Sequence, residues 1–108
     1  MGTKAMGRKS KPPSEAERIV LNAVLDLKAA TPLTEQMLER RGSDVEVDSG
    51  RVQRLGGQCL QVLLAARATW KADGKRFLVI NIPPMIVETL ILLGVSTEDL
   101  TSLPETMA

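Results

Sequence analysis

Segments with the pattern of β-strands alternate along this chain with segments that have the pattern of α-helices. The strand-like segments are rich in β-branched residues or alternate apolar and charged side chains, and they cover residues 18–27, 44–52 and 75–82. The helix-like segments carry apolar side chains at helical spacing and cover residues 31–42, 58–72 and 83–94. Parallel strands need a long crossover, usually a helix, to connect them. The order therefore predicts an α/β fold with a small, mostly parallel mixed sheet and alternating helices.

The three strand-like segments differ in how much of each strand is expected to be buried. The first is expected to be interrupted at Asn22 and Ala23, which would divide it into two short strands. Residues 44–52 alternate valine with acidic side chains, which is typical of a half-buried strand. Residues 75–82 are nearly continuously apolar after their initial charges, which predicts a strand that is covered on both faces.

The helices have recognisable start and stop signals. Thr31 is expected to cap the first helix, with Pro32 at its first position and Gly42 after its end. Gly74 is expected to stop the second helix. The side chains predicted to face the core are Leu33, Met37 and Leu38 in the first helix, Leu60, Leu63, Leu64, Arg67 and Trp70 in the second, and Met85, Ile86, Thr89, Leu90 and Leu93 in the third.

The composition argues against catalysis and against a bound cofactor. The 108 residues include no histidine and a single cysteine, Cys59, so the commonest general base and the commonest metal ligands are missing. No phosphate-binding or dinucleotide-binding glycine motif occurs. The acidic side chains Asp26, Asp44, Glu46 and Asp48 are interpreted as surface charge, because nothing in the sequence indicates a buried carboxylate. We therefore predict a protein that is not an enzyme and that uses no metal or other cofactor.

Net charge and apolar runs indicate the compartment and the class of partner. The formal net charge is +1, which gives no general attraction to nucleic acid. No run approaches the length of a membrane span, and the N-terminus lacks the apolar stretch of a secretory signal, so we expect no membrane insertion. One cysteine allows no internal disulfide, in agreement with a reducing compartment. These features predict a cytoplasmic protein whose partner is another protein, and they leave its oligomeric state undetermined.

The turn at residues 54–58 joins a strand-like segment directly to the second helix. Its sequence, RLGGQ, is followed by the apolar helical run CLQVLLAAR. Sharp turns of this kind often carry a nucleophile, a phosphate loop or a phosphorylated serine. Here the turn has the two glycines Gly56 and Gly57, followed by Gln58, and no hydroxyl. The glycine pair is expected to supply backbone freedom.

The ordered set of motifs over about residues 18–100 resembles the STAS domain, whose type members are the bacterial anti-sigma-factor antagonists. The resemblance is carried by LDLKAATPL, by VEVDSGRVQRLGGQCLQVLLAARATWKADGKRFLVIN, and by PPMIVETLILLGV. It implies a STAS domain over residues 17–102. The segment 1–16 is polar and basic and is expected to be a flexible N-terminal arm, and residues 103–108 are expected to fray.

The resemblance also implies a lost phosphorylation site. In phosphorylatable STAS domains the turn reads Asp-Ser-Ser-Gly, and a partner kinase phosphorylates the second serine. Aligning Val52 and Leu60 with the family puts Gly56 at the position of the acid and Gln58 at that of the phosphorylated serine. Gln58 is thus a degenerate phosphorylation position. The run QVLLAA and the late Trp70 are similar to the CheS-like subgroup associated with chemotaxis, whose partner is a histidine kinase (CheA-like).

The partner-binding surface is predicted from the turn and from helical geometry. If Leu60 and Leu63 face the sheet, Gln58 and Gln61 must face outward, because residues three and four apart share a face. Basic side chains beside the turn would attract an acidic partner surface. The predicted partner-binding residues are Arg51, Arg54, Gly56, Gly57, Gln58 and Gln61.

Several residues keep two interpretations at this stage. Gln58 either contacts a partner or is an ordinary polar residue at a helix start. Cys59 is a small buried apolar residue or a redox group, and Trp70 is a core residue or an interface anchor. Arg67 and Lys71 form either a solvated face or a like-charge pair that an acidic partner would relieve.

The expected function is that of a non-catalytic STAS interaction module. It would bind a histidine kinase or a kinase-like domain and tune phosphate flow in chemotaxis or two-component signalling. Two alternatives remain open: an anti-sigma-factor antagonist, and the STAS subunit of a lipid-transport ABC complex.

Overall fold

Three parallel strands form the main sheet of the computed structural model, which describes residues 17–103. The five strands are β1 (Glu17–Val20), β2 (Val24–Leu25), β3 (Val45–Asp48), β4 (Arg54–Leu55) and β5 (Phe77–Ile80). The main sheet has the order β1-β3-β5, and β2 pairs in parallel with β4. The break predicted at Asn22 and Ala23 is confirmed, since it separates β1 from β2.

Three α-helices alternate with the strands in the described part of the chain, and the third follows the last strand. They are α1 (Ala30–Glu39), α2 (Gly57–Ala72) and α3 (Pro84–Leu92), and two 3-10 helices cover Leu27–Ala29 and Thr97–Leu100. The second 3-10 helix begins with a reciprocal capping box between Ser96 and Asp99. After it, Ser102 forms an antiparallel bridge to Phe77. The predicted arm at 1–16 and residues 104–108 lie outside the described residues. The flexibility expected of the arm therefore stays a prediction.

Helix α1 starts earlier than its sequence predicts. The Asp26 carboxylate accepts a hydrogen bond from the Ala29 backbone N–H and thereby caps the first 3-10 helix. That turn continues directly into α1, so the chain is already helical when it reaches Thr31. The predicted cap at Thr31 is therefore wrong. Gly42 follows the helix with a φ of 97°, in agreement with its predicted role in ending it.

The main sheet buries one face. The pairing aligns Ile19 with Val47 and Val79, and these side chains pack into the apolar core. Leu78 and Ile80 point the other way and are only partly buried. Within residues 17–103 the prediction that β5 is covered on both faces is met only in part, because the core lies on one side of the sheet and the other side is partly covered.

Helices α1 and α3 bury narrower stripes than predicted. Leu38, Met85 and Leu93 were expected in the core, but all three are exposed. Leu38 lies next to the buried Met37 and Met85 next to the buried Ile86, so each is about 100° away from a buried neighbour around its helix. Leu93 follows the last residue of α3 as its C-cap. The helical side chains that the structure buries are Leu33 and Met37 in α1, Cys59, Leu60, Leu63, Ala66 and Trp70 in α2, and Ile86 and Leu90 in α3.

Trp70 is the largest buried side chain and joins three parts of the fold. Its ring centroid lies 5.7 Å from that of Phe77 on β5. Its indole N–H donates to the Ser43 carbonyl oxygen at 2.7 Å, in the segment that follows α1. With 1% of its surface exposed, Trp70 is a core residue and is not available as an interface anchor.

Two glycines, one at the start of α2 and one just after its end, provide a matched test of backbone requirements. Gly74 follows the helix with a φ of 70°, where a side chain strains the backbone. Gly57 has no positive φ, and a Cβ there would meet nothing within 4 Å. We predict that Gly74→Ala destabilises the fold by about 1–2 kcal/mol. We expect Gly57→Ala to leave stability unchanged or to raise it by roughly 0.4–1 kcal/mol. Urea denaturation of both variants checks this, and equal effects would contradict it.

Candidate functional site

The turn before α2 leaves the start of the helix uncapped by any side chain. Gly56 is the N-cap, in extended conformation, and it makes no side-chain capping bond. Its backbone N–H donates to the Leu25 carbonyl oxygen at 2.9 Å, and its own carbonyl accepts from Leu60 N–H at 3.1 Å. The next two residues, Gly57 and Gln58, are exposed. The free N–H groups of a helix start are therefore presented at an accessible surface.

The two glycines do not provide unusual backbone conformations. Neither Gly56 nor Gly57 has a positive φ, so the interpretation of the pair as a source of backbone freedom is wrong. A Cβ on Gly56 would lie 3.3 Å from the Leu25 carbonyl oxygen, so this glycine permits the close approach of β2. Gly57 has open space around it. Its effect is to keep the helix start free of a side chain.

Cys59 is a structural residue beneath the turn. It is completely buried, and its Sγ donates to the Asp26 carbonyl oxygen at 3.3 Å. Burial raises the pKa of the Cys59 thiol, and the negative charge of Asp26 raises it further. A thiol held in its protonated form is a poor nucleophile. The geometry thus favours the interpretation of Cys59 as a small buried apolar residue over a redox role.

A groove of about 340 Å³ runs between α1 and α2. Gln58 and Gln61 line its α2 wall, and Thr34 and Leu38 line its α1 wall, with the buried Met37 and Trp70 at its base. The other lining residues are Val62, Ala65, Ala66 and Thr69. No side chain in this set is charged, so the groove offers apolar surface edged by amides and hydroxyls.

An ion pair links the segments that directly follow α1 and α2. The Arg41 guanidinium donates to both oxygens of the Asp73 carboxylate, at 3.0 and 3.3 Å. This pairing raises the pKa of Arg41 and lowers the pKa of Asp73, mainly through the side-chain hydrogen bond in each case. The geometry is bidentate and links the residues that follow α1 and α2.

The structure brings together only part of the predicted binding set. Gln58 and Gln61 lie on one exposed face of α2, as expected from the burial of Leu60 and Leu63. Arg51 and Arg54 are exposed but do not line the groove.

The charge of Arg51 is partly balanced within the fold. Asp48 accepts hydrogen bonds from the Gly50 N–H at 2.9 Å and from the Asn81 amide at 3.3 Å. These bonds lower the pKa of Asp48, and the positive charges of Arg18 and Arg51 lower it further. Because Asp48 lies close enough to Arg51 to respond to its charge, Arg51 is a weaker attractant for a partner than its sequence position suggests.

Arg67 has a structural role that its sequence did not reveal. Its Nε donates to the Thr101 carbonyl oxygen at 3.0 Å, and the side chain is half-buried. It therefore ties α2 to the C-terminal segment. The neutral carbonyl leaves the charge of Arg67 in place, so relief of Arg67 and Lys71 by an acidic partner stays a prediction. Leu38 is the groove residue that sequence reasoning misplaced, since Met37 beside it takes the core position and leaves Leu38 58% exposed.

The acidic residues on the sheet form ion pairs and hydrogen bonds within the fold. Glu46 and Asp48 accept from the Arg18 guanidinium at 3.1 and 3.4 Å, and the Asp44 carboxylate accepts from the Arg76 backbone N–H at 2.9 Å.

Within residues 17–103 no group of histidine, cysteine or acidic side chains could hold a metal ion. None of the helices in that range is long and apolar enough to cross a membrane.

Comparison with known proteins places this geometry in a family. Residues 11–104 match the family model described as "Mlab, STAS domain". No curated protein matches the chain. The match covers most of the sequence, and the parallel sheet with three helices agrees with the fold that the family's members share. The chain therefore belongs to the STAS domain family.

Proposed function

We propose that this STAS domain is a non-catalytic interaction module that binds a signalling kinase through the α1–α2 groove and the bare start of α2. The observation that carries the proposal is the exposed pair Gln58 and Gln61 beside a groove without charged side chains. The groove reaches the turn that docks partners in the proteins this chain resembles. A glutamine at the phosphorylated position would make docking independent of phosphorylation.

A lack of catalysis is part of the same proposal. The sequence contains no histidine, and its single thiol is buried with a raised pKa. The carboxylates Glu46 and Asp48 are engaged by Arg18. These features give the module no general base or nucleophile at the turn.

The partner that we propose is a histidine kinase of the chemotaxis type (CheA-like). By occupying the kinase, the module would tune phosphate flow out of its response regulator. A second candidate function for this chain is that of the STAS subunit of a lipid-transport ABC complex. The description of the matching family model as "Mlab, STAS domain" favours it. Titration of the labelled chain with a purified histidine kinase and with a purified transporter ATPase distinguishes the two. Tight binding to the ATPase alone would replace the first candidate by the second.

The groove supplies the first prediction from this proposal. Gln61→Trp and Gln58→Arg add bulk or charge to its α2 wall, and each should weaken partner binding at least tenfold, roughly 1.4 kcal/mol. Both positions are exposed, so stability should stay within about 0.5 kcal/mol. Isothermal titration calorimetry with the purified kinase measures the affinity.

Gln36 provides the matched control for these variants. It is exposed on α1 but does not line the groove. Gln36→Trp should therefore bind as well as the natural sequence. If all three variants keep full affinity while folded, the contact lies elsewhere, and the basic arm at residues 1–16 becomes the next surface to examine.

The second prediction concerns the turn itself. With Gln58 at the position of the phosphorylated serine, residues 54–61 contain no hydroxyl side chain, so incubation with the partner kinase and ATP should add no phosphate there. Gln58→Ser restores a hydroxyl at an exposed position, and its incubation with a serine-specific kinase shows whether such a kinase can reach the turn. Mass spectrometry of both proteins measures the phosphate added within residues 54–61. Phosphate within residues 54–61 of the natural sequence would refute the prediction.

A further inference from the structure

The outward face of α3 exposes more large apolar side chains than any other helix face among the described residues. Leu92 is 86% exposed, Ile91 66% and Met85 59%. Met85, Glu88 and Leu92 follow the i, i+3, i+7 spacing of one helical stripe, and Ile91 lies beside it. We call these four residues the α3 surface. None of them lines the α1–α2 groove, so the proposed function does not account for them.

The exposure is not forced by the packing of the helix. α3 buries Ile86 and Leu90 on its inner side and needs only that stripe to dock on the domain. Polar residues would serve on the outer side of a helix that meets only water. Single exposed apolar residues are ordinary, but a contiguous group marks an interaction site.

The charges around this surface restrict the kind of partner. The sequence contains no lysine or arginine after Arg76. Glu88 lies in the middle of the α3 surface, and Glu98 and Asp99 are exposed on the following 3-10 helix. Within residues 17–103 the structure gives Glu88 no salt bridge. A complementary partner therefore offers apolar side chains around a basic one.

Three other occupants fit this pattern poorly. A second copy related by a two-fold axis would pack α3 against α3, and the central position of Glu88 would place two like charges face to face. An anionic membrane surface attracts basic helices, not an acidic face. The basic arm at residues 1–16 has suitable charge, but Met1 and Met6 are its only large apolar side chains.

The shape beside α3 indicates a helical partner. A cleft of about 630 Å³ lies beside α3 and is lined in part by Val87, one helical turn before Ile91, and by Leu103. Another helix packed against α3 would set its side chains between those of the stripe and into this cleft. Such packing uses the helical spacing of Met85 and Leu92, which an extended peptide would not match.

We propose that the α3 surface binds an amphipathic helix of a partner protein, whose apolar stripe packs on Met85, Ile91 and Leu92 and whose central lysine or arginine pairs with Glu88. The site is separate from the α1–α2 groove. The domain would then have two independent docking surfaces and could join two proteins.

The test uses two fluorescent probe peptides and the full chain. Each peptide is a helix of about four turns with leucines at i, i+3 and i+7 spacing. One has a central lysine, and its twin has glutamate at that position. Fluorescence anisotropy should show the lysine probe binding about fivefold tighter than its twin, because attraction replaces repulsion. The variant Glu88→Lys should reverse this preference.

Two further variants separate this surface from the groove. Leu92→Ser should weaken the lysine probe at least about tenfold, since it removes the most exposed apolar side chain of the α3 surface. Gln61→Trp, in the groove, should leave probe binding unchanged. Circular dichroism verifies that each variant is folded. A loss of probe binding in Gln61→Trp would overturn the independence of the two sites.

Five other results would overturn the proposal. The first is equal affinity for the two probes, and the second is no binding of either up to about 1 mM. The third is a dimer in sedimentation that Leu92→Ser abolishes, which would assign the surface to a second copy. The fourth is cosedimentation with phosphatidylglycerol vesicles that Leu92→Ser abolishes, which would assign it to a membrane. Stronger lysine-probe binding after replacing the bases of the arm by glutamate would assign the surface to the arm.

Discussion

The sheet of β1, β3 and β5 packs its core on one face, and the orientation of α2 follows from this constraint. Ile19, Val47 and Val79 align across the strands and direct apolar side chains to the same side. Helix α2 must therefore turn Leu60 and Leu63 toward the strands. Once that orientation is set, Gln58 and Gln61 can only face away. The exposed wall of the groove is thus a geometric consequence of burying the opposite side of the helix.

Local pattern explains which parts of this architecture were predictable. The alternation of strand and helix segments, the break after β1 and the orientation of α2 all follow from side-chain periodicity. Leu38, Met85 and Leu93 were misplaced because periodicity identifies a stripe but not how far a neighbouring element extends over its edges. The start of α1 was predicted too late in the sequence, because Asp26 caps a 3-10 turn that no sequence pattern indicated.

Interactions between distant residues explain what sequence reasoning could not reach in the site. The bond from Arg67 to the Thr101 carbonyl and the ion pair of Arg41 with Asp73 each join residues more than thirty positions apart. The need for glycine at position 56 arises from the Leu25 carbonyl, which only the pairing of β2 with β4 brings near. The distribution of charge over the surface also depends on which distant residues the fold brings together. The groove is lined by uncharged side chains, whereas the region after Arg76 is acidic.

The buried indole of Trp70 gives this domain a built-in optical reporter. The sequence has one tryptophan and no tyrosine, so its near-ultraviolet emission comes from a single ring. That ring is in contact with β5 through Phe77 and with the end of α1 through the Ser43 carbonyl. It also forms part of the base of the α1–α2 groove. Its fluorescence therefore reports the packing of three elements together, and a ligand that enters the groove lies above the same chromophore.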